Sequence, residues 1–496
     1  LSANMPNWGI TQFAIANIGA IAVPVLPGFC STELQNILEH AEVKVIFVSR
    51  LLAKCLEGVK TPFLEHKILI NNFSTIPEGC YQPEELDKLV PDISLNNTTP
   101  LPEVSIEEED IASIIYTSGT TGFSKGVVLT HKNLVWDARQ CHTIQPVDET
   151  YRFLSILPMA HTYENTLGLL LPLMFGAQVY YLDRVPTPKL LVPAMQKIRP
   201  TVVLSVPLII EKIYKSQVLP KFTSSKLMSK LYQFAPARKL FNRLAGKKLM
   251  ETFGGELKFF GIGGSKLDGT VEQFLREAKF PYAIGYGLTE TAPMAAGSNP
   301  SQTFLQGVGP VMEGVQIKIN DPDKSGQGEI WIKGPNVMKG YYKRPELTAE
   351  TFTEDGWFKT GDLGSFDKKN RLAIRGRIKT MILGASGENI YPEEIESIIN
   401  NFRFVNESLV VENSGKLVAM VHFNMEELEK QYQKLKDQAG NYKEKINDYI
   451  EEQKQELRDY VNARVNNFSK LQLVLVQHEP FEKTPTHKIK RFLYCK

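Results

Sequence analysis

From the first residues to about Leu372, short β-branched runs alternate with helix-like segments, and this alternation constrains the fold more than any other feature of the chain. KVIFV (44–48), SIIYT (113–117), TVVLSV (201–206), LKFFGIG (257–263) and EIWIKG (329–334) read as strands, and Pro188 to Lys197 and Val271 to Lys279 as helices between them. Strands separated by helices imply α/β layers, in which ligands gather at the carboxyl ends of the strands. Glycine-rich turns follow several of these runs, notably GIGGSKL (261–267) and GYGLTE (285–290). After Arg377 the character changes: turn-rich sequence, the apolar runs VNESLVVE and LVAMVHF, a charged stretch from Glu426 to Arg464, then LQLVLVQ and a basic tail. This predicts a smaller α+β domain. The charged stretch reads as an exposed helical hairpin supported by i,i+4 pairs, with no chemistry of its own.

Tyr116 to Val127 reads YTSGTTGFSKGV. Glycines let a backbone approach a ligand closely, hydroxyls donate hydrogen bonds and a lysine adds charge, so the segment suits polyphosphate. It is not a Walker A loop, because that pattern needs Ser or Thr after the lysine and Lys125 is followed by Gly126. Taken alone it reads equally as an ordinary loop.

The remaining features narrow the class. A chain of 496 residues with 43% hydrophobic and 23% charged residues can bury a large core. A net charge of +2 argues against a nucleic-acid partner. Five scattered cysteines show neither metal-ligand spacing nor a disulfide framework, which favours a cytoplasmic location. The chain opens at Leu1, already inside apolar sequence, and reads as a piece lacking its true start. The uncharged stretch from Met5 is interrupted by Gln12, Asn17, Pro24 and Pro27, and suits a packed helix leading into a buried strand better than a membrane span.

Five motifs in order, YTSGTTGFSKGV, YGLTET (286–291), GWFKTGDLG (356–364), GRIKTMILGASGENIYPEEIE (376–396) and KTPTHKIKR (483–491), make the chain resemble the AMP-forming adenylating enzymes. LPMAHTYEN (157–165), GENIYPEEIE and THKIKR resemble the long-chain fatty acyl-CoA synthetase branch. The resemblance implies a large multi-layer α/β adenylating domain of mixed sheets and helices over residues 1–377, and a smaller mobile C-terminal domain over 378–496. It implies that a fatty acid and ATP give acyl-AMP and pyrophosphate, and that coenzyme A then displaces AMP, with Mg²⁺ as the metal. Alternatives are a medium-chain or aromatic acid ligase, an enzyme loading a carrier protein, and a nucleotide-binding pseudoenzyme. Oligomeric state is left open, and so is peripheral contact with the inner membrane face.

By the same resemblance, Thr117, Ser118, Gly119, Thr120, Thr121, Gly122 and Lys125 grip the β- and γ-phosphates, while Glu290 with Thr289 holds Mg²⁺. Tyr286 and Gly287 flank the adenine, and Gly263 and Gly264 wall its edge. Asp362 takes the ribose hydroxyls, and Arg377 contacts ribose or phosphate, two residues before the hinge at Lys379. Lys488 serves the adenylation step, and the 384–389 loop, with Gly387, serves the coenzyme A step. His161 positions the acyl carboxylate. Apolar runs Leu167 to Phe175 and Val206 to Ile213 could line a tunnel, where each buried CH₂ is worth about 0.8 kcal/mol, or could serve as core.

Overall fold

The computed structural model describes residues 1–29, 31–91, 103–117, 124–182, 184, 186–223, 225–383, 389–413, 415–435, 442–484 and 488–495. Two compact units emerge. One comprises Leu1–Lys318, Trp331–Thr360 and Phe366–Ala373; the other comprises Ile319–Ile330, Gly361–Ser365 and Ile374–Lys496.

The first unit contains a six-stranded sheet in the spatial order Met294–Gly297, Tyr282–Gly287, Phe259–Ile262, Val202–Ser205, Arg152–Ser155, Gln178–Tyr181. Five strands are parallel, and the Met294–Gly297 edge strand is antiparallel to its neighbour. Val202, Val203, Leu204 and Ser205 are all buried, as expected for a parallel strand covered on both faces. Ile262 lies opposite both Ser205 and Ile284, so strands 202–205 and 259–262 end level while strand 282–287 runs on past them to Gly287. From Arg152–Ser155 the chain next adds a strand on one side, and thereafter adds strands only on the other. The connections therefore reverse between strands 152–155 and 202–205, the position where open α/β sheets bind ligands.

A second sheet pairs Ile111–Thr117, Lys125–Thr130 and Gly340–Tyr341, all antiparallel. A third, of Val45–Val48, His66–Leu69 and Ser74–Thr75, covers a core that includes Trp8, Leu34, Val48, Met159 and Leu169. The uncharged N-terminal stretch forms the helix Pro6–Asn17, but the expected strand after it does not form. Ala22 makes only an isolated bridge to Ser113, because Pro24 and Pro27 remove the donors that a ladder needs. Among the described residues no helix is long and apolar enough to cross a membrane.

In the second unit Val405–Asn413 and Lys416–Phe423 form a hairpin, and Leu473–Val476 adds in parallel to Lys416–Phe423. The charged stretch forms helices Met425–Leu435 and Tyr442–Asn462, as its pattern predicts. It is not merely a solvated hairpin. Leu428, Tyr432, Tyr449, Ile450, Leu457 and Val461 are buried in this unit's core, so the pair carries an apolar stripe through its charges.

Candidate functional site

The glycine-hydroxyl segment joins the two strands of a β-hairpin. Thr117 is registered opposite Lys125, and Tyr116 opposite Gly126. A P-loop instead leads from a strand into a helix, so the topology agrees with the exclusion made from the lysine's neighbour. Ser118, Gly119, Thr120, Thr121 and Gly122 lie outside the described residues. The frame around them is fixed. A side chain at Gly126 would come within 2.9 Å of Ile114, and the Tyr116 hydroxyl is 2.6 Å from Nδ1 of His40. Burial pushes the Tyr116 phenol well above its usual range, so it stays neutral.

Lys125 meets Glu290 through a residue that the sequence motifs do not contain. Tyr341 pairs with Val127 across the sheet. Its ring centroid lies 4.9 Å from the Lys125 Nζ, and its hydroxyl donates to Glu290 Oε1 at 2.9 Å. A cation over the face of a buried tyrosine and a carboxylate at its hydroxyl place the two charges at opposite ends of one side chain.

Glu290 lies on the single turn Thr289–Thr291, just after the strand Tyr282–Gly287. Several bonds hold that turn. Met338 N donates to Glu290 O at 2.9 Å, Leu288 N to Thr291 Oγ1 at 2.9 Å, and Thr166 Oγ1 to Ala292 O at 2.8 Å. Met294 N donates to buried Asp137 at 3.4 Å. Gly287 is obligatory here, since a Cβ would sit 1.7 Å from Pro293 O. Tyr286 is itself buried, opposite Ala296 on the edge strand.

The loop after the strand Arg152–Ser155 carries His161. Asn4 fixes this loop by donating to Ser155 Oγ at 3.0 Å and Leu157 O at 2.7 Å, and by accepting from Met159 N at 3.2 Å. His161 then caps the turn Thr162–Glu164, its Nδ1 accepting from Tyr163 N at 3.2 Å. With Nδ1 an acceptor, the neutral ring carries its proton on Nε2, which makes that nitrogen a donor. The Tyr163 ring lies 3.3 Å from where a Cβ on Gly263 would be, and Gly264 adopts φ +87°. The loops that follow strands 152–155 and 259–262 are thereby in contact, and the glycines permit it. Leu169 belongs to the core against Gly9, so this part of the Leu167 to Phe175 run is packing.

Asp362, Arg377 and Lys488 belong to the second unit. Asp362 is buried, and exposed Arg377 pairs with it, Nε to Oδ1 at 2.9 Å. Lys488 is exposed and its backbone meets Thr484 twice: Thr484 N donates to Lys488 O at 2.8 Å, and Lys488 N to Thr484 Oγ1 at 3.2 Å. The ion pairs Lys483–Glu407 and Arg491–Glu396 tie the residues on either side to the strand Val405–Asn413 and to the helix Pro392–Asn400. Burial raises Glu396 to about 7, with Arg491 opposing that shift. Gly387 and most of the 384–389 loop lie outside the described residues.

Among the described residues no cluster of three or more His, Cys, Asp or Glu could hold a metal by itself. A single carboxylate such as Glu290 fits Mg²⁺, which commonly binds through one or two carboxylates with substrate phosphates and waters supplying the rest. Tyr341, Asn4, Asp137 and Thr166 were not legible as site residues, because each acts through contacts made by sequence-distant partners.

Comparison with known proteins bears on this arrangement. Residues 1–342 match the family model described as AMP-binding enzyme. A peroxisomal long chain acyl-CoA synthetase 6 of Arabidopsis thaliana is 29% identical over 98% of the chain and 74% of its own length. The Drosophila melanogaster long-chain-fatty-acid–CoA ligase heimdall is 30% identical over 80% of the chain and 63% of its own length. The chain thus spans between 63% and 74% of these two relatives. Among solved structures, ATP-bound MatB from Rhodopseudomonas palustris superposes with a TM-score of 0.74 at 20% identity, covering 99% of this chain and 86% of MatB. Bacillus subtilis o-succinylbenzoate coenzyme A synthetase with ATP and magnesium gives 0.72 at 21% identity, covering 99% and 87%. These two establish the α/β fold.

Proposed function

The chain belongs to the family of AMP-binding enzymes, and on that premise we propose that it activates a long-chain fatty acid with ATP and passes the acyl group to coenzyme A. The products are acyl-CoA, AMP and pyrophosphate. The single observation that carries the site assignment is the contact chain Lys125–Tyr341–Glu290, which joins the phosphate-type loop to a motif carboxylate suited to a hard cation. The long-chain substrate rests on the relatives named as long-chain acyl-CoA synthetases.

A carboxylate is a poor electrophile, so it is first joined to the α-phosphate of ATP. Catalysis is then mostly positioning and stabilisation of charge gathering on the phosphates. Lys125, held over the Tyr341 ring, supplies a fixed cation at the hairpin mouth for the β- and γ-phosphates. Glu290, with Thr289 beside it, would hold Mg²⁺, whose charge offsets that of the departing pyrophosphate. The Nε2–H of His161 orients the acyl carboxylate at the point where the strand connections reverse.

Asp362 accepts from the ribose hydroxyls. Its partner Arg377 holds that carboxylate in place. We also place a functional boundary at residue 377, with residues 378–496 turning as a mobile domain about Lys379. That motion presents Lys488 during adenylation and the 384–389 loop, with Gly387, during thioester formation. Exposure of Lys488, with its backbone bonded to Thr484, suits a cation delivered to a reaction centre.

Product identity tests the reaction type. Incubation with ATP, coenzyme A and palmitate should yield AMP and pyrophosphate in equal amounts. ADP and phosphate as the products would overturn the adenylation reading.

A further inference from the structure

The near-neutral total charge conceals an asymmetric distribution. Between Glu211 and Glu251 the chain carries ten lysines and arginines and no aspartate or glutamate. The structure folds the last part of this stretch into two consecutive helices, Lys226–Gln233 and Ala235–Thr252. On the second helix, Asn242, Gly246 and Leu249 face the protein, and a Cβ on Gly246 would come within 2.6 Å of Ala278. Leu240, Arg243, Leu244 and Lys247, at spacings of three and four, form an outward face bordering a shallow groove.

That face is apolar and cationic at once. Leu227 is 69% exposed, Phe234 63%, Leu240 58% and Leu244 62%. Lys230, Lys239, Arg243, Lys247 and Lys248 are exposed around them. Arg238 differs, being paired with Glu277 at 2.9 Å. Large exposed leucines and a phenylalanine among lysines are costly in water and unsuited to a purely ionic partner. They match a bilayer surface, where apolar side chains enter the headgroup–acyl boundary and each cation near anionic lipid contributes about 1 kcal/mol.

We propose that the helix pair 226–252 is a docking surface for an anionic lipid bilayer. The inference deepens the proposed function and rests on it, since a long-chain acid partitions into membranes and residues 214–225 separate the helix pair from the segment 206–213 suggested for the hydrocarbon tail. Docking there brings the enzyme to the phase that holds its substrate. A nucleic acid would use the lysines but leave the leucines without a role.

The test is co-sedimentation of the full chain with phosphatidylcholine vesicles, with and without about one-third phosphatidylglycerol. The surface predicts binding to the anionic vesicles that weakens at least about tenfold when salt is raised to about 0.5 M. Two variants, Lys239→Glu/Arg243→Glu/Lys247→Glu and Leu240→Ser/Leu244→Ser, should each lose about tenfold in binding while melting at the wild-type temperature. Equal binding by wild type and both variants, or no binding by wild type, would overturn the proposal. So would a leucine variant that binds vesicles normally while single-stranded RNA competes for the lysines. AMP release with albumin-bound palmitate and no vesicles serves as the control: its absence in wild type indicts the proposed reaction, and its presence with no vesicle binding indicts only the surface.

Discussion

The Tyr341 hydroxyl donates to Glu290 Oε1 at 2.9 Å while the Tyr341 ring faces the ammonium of Lys125 at 4.9 Å. One buried side chain therefore orients both a candidate metal ligand and a candidate phosphate ligand, and its two contacts can be separated by substitution.

Tyr341→Phe keeps the ring under Lys125 and removes the bond to Glu290. Hydrogen bonds to charged groups are worth about 1.5–3 kcal/mol, so the Mg²⁺ concentration for half-maximal pyrophosphate exchange should rise about tenfold with little change in KM for ATP. Tyr341→Leu should raise both. Initial rates across a Mg²⁺ series decide it, and an unchanged Mg²⁺ requirement in the Phe variant would show that the hydroxyl does not position Glu290.

Lys488→Ala should depress acyl-adenylate formation by about a hundredfold or more, the scale of losing a group aimed at developing charge. Thioester formation from supplied acyl-AMP should stay near wild type. Pyrophosphate exchange and thioester formation, measured separately, check this. Equal losses in both would contradict the domain rotation.

Gly287→Ala places a Cβ 1.7 Å from Pro293 O, a backbone atom that cannot swing aside. A cost of about 3 kcal/mol is expected, read as a lowered melting temperature. A variant as stable as wild type would mean that the turn carrying Glu290 is free to shift.

Burial holds the Glu164 carboxyl at about 8, well above its ordinary value, with Ser155 donating to it. The folded protein keeps that proton where the unfolded chain has released it, so this contribution to stability is full below about pH 4.5 and lost as pH rises toward 8. Glu164→Gln should flatten the fall in melting temperature between pH 5 and 8. Parallel curves for the two proteins would contradict the buried neutral form.

Strand-forming runs such as Val202–Ser205 were legible because β-branched sequences bounded by turns have few other uses. The helices bearing Leu428, Tyr432, Leu457 and Val461 were legible as helices but not as core, since charges outnumber the apolar stripe that does the packing. The 20–27 stretch misled in the opposite sense: Ala22, Val25 and Leu26 are buried, but the prolines keep the stretch out of a ladder. Glu290 and Lys125 could be named from motifs, whereas Tyr341 could not. Its role comes from strand 340–341 pairing beside the hairpin, a contact between segments more than two hundred residues apart in the chain.

The most direct measurement is coenzyme A-dependent AMP release across straight-chain fatty acids of graded length, with benzoate and malonate included. The account predicts a maximum of kcat/KM at long chains and little turnover of the two short acids. A maximum at benzoate, malonate or the shortest fatty acids would contradict it.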